Sequence, residues 1–135
     1  MPEIKELSMI YDKESMNTFV SLYFDGKDRK FIQKRENVVK SILRGEEKDN
    51  FEKTMDKIKD FLKKEGKFPL AIFSSHKNNY FKAIFLPQKI ENSLIVDSSP
   101  YIRPLAEMED GWQSITLVLI NSNHAKIYFV SCGKL

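Results

Sequence analysis

The sequence predicts an α+β fold of two layers, a central mixed β-sheet packed by a helical hairpin, with a β-hairpin at the C-terminal end. Three observations predict it. Short runs rich in β-branched and aromatic residues stand on both sides of a stretch, 27–67, whose apolar residues recur at helical spacing. That stretch is divided by Gly45 and closed by Gly66, which makes it two helices rather than one. Of the 135 residues 41% are hydrophobic and 12% aromatic, enough to bury a core and to exclude a disordered chain.

The first strand is Phe19-Val20-Ser21-Leu22-Tyr23-Phe24, ended by the turn pair Asp25-Gly26. A helix over 28–44 follows, with Phe31, Val38 and Ile42 on its core side and Ile32, Val39 and Leu43 beside them. Lys30, Gln33, Lys34, Glu36, Asn37, Lys40, Ser41 and Arg44 form its solvent face, and Arg35 lays its stem on the core edge with its head in water. Gly45 is expected to end this helix in the left-handed conformation. Phe51, Met55, Ile58, Phe61 and Leu62 predict the second helix over 50–65, capped by Asp49 or Asn50 and carrying Lys63 and Lys64 at its C-terminal end, where cations suit the dipole.

Phe68 to Phe73 reads as a buried strand with Pro69 at its mouth, and Ser74 to Asn79 as a polar loop. Strands are expected near 82–86, before Pro87, and near 93–96, then a short helix over Pro104–Met108. Ser114–Ile120 and Ala125–Val130 are two further β-rich runs joined by a turn at Asn121-Ser122-Asn123-His124. Such a hairpin needs a sheet to cover it. It either packs on residues 1–112 or, as 113–135, opens a second domain.

The composition bounds the function classes. No segment approaches the roughly 20 apolar residues of a membrane span, and Met1–Asp12 lacks the pattern of a signal peptide, so the cytoplasm is expected. The single cysteine, Cys132, makes no internal disulfide or Cys-based zinc site and is expected to be a small, partly buried apolar group. His76 and His124 fall in a loop and a turn without a carboxylate or second histidine at metal-ligand spacing, so no metal and no cofactor is expected. Ser74-Ser75-His76 invites a nucleophile–base reading, but adjacent side chains rarely meet in that geometry. Glu46-Glu47 and the cluster Glu107, Glu109 and Asp110 read as solvated charge. No catalytic residue is assigned.

Charge is distributed unevenly. The net charge is +3, but residues 27–67 hold 14 Lys or Arg against 9 Asp or Glu, so the surplus lies on the helical hairpin. Lys30, Lys34, Lys40 and Arg44 share its solvent face and are the candidate nucleic-acid-binding residues, because phosphates reward clustered cations through counterion release. The competing reading is a solubilising helix surface.

Several segments resemble one family in order and spacing. Val20-Ser21-Leu22-Tyr23-Phe24 is similar to the first strand of archaeal and eukaryotic class 1 peptide chain release factors, and the helical hairpin follows where theirs does. Pro69-Leu70-Ala71-Ile72-Phe73 resembles a later strand of the same N-terminal domain. Ser98-Ser99-Pro100-Tyr101-Ile102-Arg103-Pro104-Leu105 resembles the closing segment of its divergent bacterial and archaeal branch. Leu117-Val118-Leu119-Ile120 and His124-Ala125-Lys126-Ile127 resemble the hairpin that opens the family's second domain. The resemblance covers residues 19–130. It implies a release-factor-like or Pelota-like N-terminal domain over 1–112, with the ribosome or RNA, and a translational GTPase, as partners in termination or ribosome rescue.

The family's decoding elements are altered. Asn37-Val38-Val39-Lys40-Ser41 is one residue longer than the N-I-K-S element, and Leu94, Val96 and Pro100 stand where a tyrosine, a cysteine and a phenylalanine belong. Apolar side chains supply no base hydrogen bonds, so stop-codon decoding is not expected. The catalytic G-G-Q loop belongs to the family's second domain and does not occur in this sequence. Two rival readings stand beside this one: a protein–protein interaction domain with no RNA role, and an enzyme whose site would be a deep pocket around His76.

Overall fold

A computed structural model describes residues 2–111, 116–120 and 125–128. The elements run α1 (Pro2–Ser8), β1 (Phe19–Phe24), α2 (Arg29–Ile42), α3 (Gly45–Glu65), β2 (Leu70–Ser75), β3 (Tyr80–Phe85), β4 (Ser93–Asp97), α4 (Arg103–Gly111), β5 (Thr116–Ile120) and β6 (Ala125–Tyr128). The fold is α+β, and α2 and α3 pack as a hairpin on the sheet, as predicted. The strand order is β4-β1-β2-β3-β5-β6.

Each of the five pairings is antiparallel, where the sequence suggested a mixed sheet. Tight turns join β2 to β3, and the two-helix excursion between β1 and β2 returns the chain beside β1 in the opposite direction. Leu22 stands opposite Ile72 on one side and Leu94 on the other, which fixes the register of the central strands.

The core lies on both faces of the sheet. Val20, Leu22, Phe24, Leu70, Ile72, Phe81, Ala83 and Leu94 meet Ile32, Val39 and Leu43 near α2 and Phe51, Met55, Ile58 and Leu62 of α3. The alternate residues Tyr23, Ala71, Phe73 and Ile84 turn to Leu7 of α1 and Leu105 and Met108 of α4. β1 is buried along its whole length for this reason. The expected two layers thus gain a third: α1, which the sequence did not signal, and α4, longer than predicted, cover the second face. Tyr23 Oη donates to the Tyr101 carbonyl there, and burial pushes the phenol above its ordinary pKa.

The helix hairpin differs in register from the prediction. Val38 and Ile42 are 46% and 67% exposed, whereas Glu36, placed on the solvent face, is 1% exposed. The stripe that packs is Ile32, Glu36, Val39 and Leu43, whereas the equally spaced row one residue ahead of it leaves Val38 and Ile42 in water and only Phe31 partly buried against the core. The second helix begins at Gly45, five residues ahead of Asn50. Gly45 has φ of 58° and opens α3 rather than closing α2. Arg44 is the N-cap residue and makes no side-chain capping bond; Glu46 and Glu47 fall in the first turn, where their charge meets the positive end of the dipole. Asp49 and Asn50 are therefore inside the helix.

β2 also shifts. Phe68 is exposed and lies outside the strand, and Ser74 and Ser75 belong to it rather than to a loop. The turn expected at 121–124, His124 and Cys132 lie outside the described residues. The two strands flanking that turn are formed, and β5 pairs with β3. No helix among the described residues is long and apolar enough to cross a membrane.

Candidate nucleic-acid interface

The candidate interface is the outward face of α2, and local sequence holds the helix in place. Asp25 accepts the backbone N–H groups of Lys27 and Asp28 at 2.8 and 3.0 Å and the Asn92 amide at 3.2 Å. These bonds, that of Asp28 foremost, hold its carboxyl below the usual carboxylate range. Asp28 caps α2 by accepting the Phe31 N–H at 3.1 Å. The left-handed Gly26, with φ of 84°, makes the turn between them.

Glu36 sets the electrostatics. It is the single carboxylate in α2, and it points into the seam with α3. Lys59 of α3 donates to both its oxygens at 3.1 and 3.0 Å, and Lys40 lies 3.5 Å away. A buried carboxylate requires such partners, because burial without them costs several kcal/mol, on the order of the whole pair's attraction. With Glu36 turned inward, the exposed residues of α2 are Arg29, Lys30, Gln33, Lys34, Asn37, Val38, Ser41 and Ile42. This face carries three cations, two amides and a hydroxyl, with no carboxylate. Gln33 donates to Asn37 at 3.1 Å.

The four predicted cations are thus separated into classes. Lys30 and Lys34 are exposed and one helical turn apart. Lys40 is drawn toward Glu36. Arg44 is exposed at the corner between α2 and α3. Arg35 donates to the Leu94 carbonyl of β4 at 3.3 Å, so its head is engaged by the sheet edge rather than by water alone. Asn37–Ser41 lies within the last turns of α2, in helix rather than in the connection at the hairpin's tip. Sequence reasoning missed the exposure of Val38 and Ile42. The usable signal was Glu36 with Lys40 four residues on, a pair that marks a seam once a second cation arrives from another helix.

A second polar centre lies beside the first turns of α3, between the chain ahead of β1 and the β2–β3 turn. Asp12, buried, accepts from the N–H groups of Glu14 and Ser15, Thr18 Oγ1, Lys77 Nζ and Asn78 Nδ2, all between 2.8 and 3.3 Å. Asn50 and Thr54 of α3 accept the N–H groups of Lys77 and His76 at 2.7 and 2.9 Å. Ser74 donates to the Tyr80 carbonyl at 3.0 Å, and Ser75 accepts from Asn78 at 3.2 and 2.9 Å. Both hydroxyls therefore stitch the β2–β3 turn. His76 is exposed and lines an open cavity of about 490 Å³ together with Met16, Glu14, Glu46, Glu47 and Lys53. Among the described residues, no three His, Cys, Asp or Glu side chains are grouped to hold a metal ion. Glu107 pairs with Arg103 at 3.2 Å on the surface of α4.

No family model matches this sequence, and no curated protein matches it.

Proposed function

We propose that this chain is a non-catalytic, release-factor-like N-terminal domain that binds the ribosome or RNA through the solvent face of α2, in translation termination or ribosome rescue. The observation that carries the reading is the carboxylate-free face of α2, with Lys30 and Lys34 one turn apart and Arg44 at the adjoining corner. Inward rotation of Glu36 removes the one charge that would repel a phosphate there. The amides and hydroxyl add donors suited to phosphate and sugar oxygens. A translational GTPase as partner belongs to the same reading through the resemblance, and a cytoplasmic location and a second domain opening at residue 113 belong to it as expectations from the sequence.

Titration of a fluorescent oligoribonucleotide and of ribosomal subunits at several salt concentrations tests it. Affinity is expected to fall with salt. The Lys30→Glu/Lys34→Glu variant is expected to flatten the log–log slope by about 1.4, two single-strand phosphate contacts. Absence of binding at low salt, or binding indifferent to both salt and the variant, sinks the proposal.

The exposed Val38 and Ile42 favour a second reading, a protein partner seated on the same helix end. Under it, Val38→Asp/Ile42→Asp abolishes ribosome binding while the lysine reversals leave it nearly intact.

A further inference from the structure

Between α2 and α3 runs a groove of about 210 Å³ lined by Arg29, Ile32, Gln33, Lys59, Leu62 and Lys63. Its lining holds three cations and an amide over two aliphatic side chains, without a carboxylate. Arg29 is fixed before any ligand arrives. Its Nη2 donates to the carbonyls of Leu62 and Gly66 at 3.2 and 3.0 Å, and the guanidinium lies 5.6 Å from the centre of the Phe24 ring. A guanidinium carries five N–H donors, so these two carbonyls, both on one nitrogen, leave others for a ligand. The bonds explain why Arg29 sits at the end of α3, but not why Gln33 and Lys63 line the same groove. Lys59 is largely spent on Glu36. Lys63 is exposed, and its ion pair with Asp60 is long, at 3.9 Å.

We infer that this groove seats one phosphodiester of a single-stranded RNA. Arg29 and Lys63 hold the non-bridging oxygens, Gln33 donates its amide, and the sugar rests on Ile32 and Leu62. The inference rests on the RNA-binding reading of α2 and extends it to residues outside the Lys30–Lys34 row. The volume supports a phosphate with its sugar over a whole cofactor, since pockets for small molecules run from roughly 300 to 1,000 Å³. A planar, pre-positioned guanidinium is the group best shaped for two phosphate oxygens.

The test combines amide NMR of the full chain with anisotropy, using an oligouridylate of about ten nucleotides, long enough for a typical single-strand site, and inorganic phosphate as probes. Gln33→Ala and Lys63→Ala alter exposed side chains and leave the fold intact. Oligouridylate is expected to shift the amides of residues 29–33 and 62–66. Lys63→Ala is expected to lower affinity about fivefold, the upper range for an exposed ion pair, and to reduce the salt slope by about 0.7. If both groove variants bind like the wild type while Lys30→Glu/Lys34→Glu binds weakly, the groove is overturned and the α2 reading stands. If the wild-type chain binds no oligouridylate, the α2 reading fails and takes the groove with it. If inorganic phosphate alone shifts these amides, the phosphodiester assignment is overturned in favour of a free-phosphate site.

Discussion

Two carboxylates govern this molecule at the level of single residues. Asp12 gathers donors from its own loop and from the β2–β3 turn, so it ties the chain ahead of β1 to the turn at that end of the sheet. The Asn78 amide, then Thr18, Lys77 and the Glu14 N–H, hold its carboxyl well below the usual carboxylate range, against the opposing effect of burial. A depressed folded pKa contributes stability that is present above the unfolded value of about 3.9 and is lost as pH falls through the folded value. The stability gap between wild type and Asp12→Asn in urea unfolding should therefore be constant above about pH 5 and narrow steadily below about pH 4. A gap independent of pH down to 2 would contradict the role given to Asp12.

Glu36 acts by a different route. Its charge is buried, but Lys59 and Lys40 keep over a third of their side-chain surface exposed, so removing the carboxylate leaves cations that water can reach. Glu36→Ala should cost about 1–3 kcal/mol, the range for a buried hydrogen-bonding group lost. Glu36→Lys should unfold the α2–α3 seam, read as loss of cooperative urea unfolding, because it buries a third cation beside two.

At the scale of elements, the register of α2 decides what the protein offers to a partner. Ile42 and Phe51 are both large apolar residues at helical spacing, yet Ile42 faces water and Phe51 is fully buried. Phe51→Ala should cost about 3–5 kcal/mol and Ile42→Ala less than about 0.5 kcal/mol in chemical denaturation. Similar costs at both positions would mean that the helix packs as the sequence pattern alone suggested. Periodicity located both helices but misjudged this face, because Phe31, Val38 and Ile42 form as plausible a stripe as Ile32, Val39 and Leu43. The choice fell to Glu36, whose burial depends on Lys59, 23 residues away and on another helix. The same limit applies to the start of α3. Glycine normally ends helices, and the acidic pair Glu46-Glu47 just after Gly45 is the one local sign that it begins one.

Over the whole molecule, the part of the sheet formed by β1 to β4 is covered on both faces, and β1 and β2 are its best shielded strands. β1 and β2 are buried at every residue, whereas β4 lies at the sheet edge with Ser93, Ile95 and Val96 half-buried. Amide hydrogen exchange should therefore be slowest in β1 and β2, approaching the global unfolding free energy, and faster in β4. Equal protection in β4 would point to a partner or second copy on that edge. The second face is closed by Leu7, Leu105 and Met108, so Leu105→Ala should lower stability by about 2–5 kcal/mol despite its distance from the helical hairpin.

The sequence by itself determined the α+β class, the helical hairpin, the central strands and the concentration of positive charge on residues 27–67. These follow from patterns read within a dozen residues: period, turn residues, charge count. Tertiary structure alone decided the antiparallel pairing throughout, the recruitment of α1 to the second face, the inclusion of Ser74 and Ser75 in β2, and the division of the four candidate cations. Each of these depends on contacts between residues far apart in the chain. The clearest case is Glu36, which local pattern places in water and Lys59 draws into the seam, leaving α2 with a solvent face that carries no negative charge.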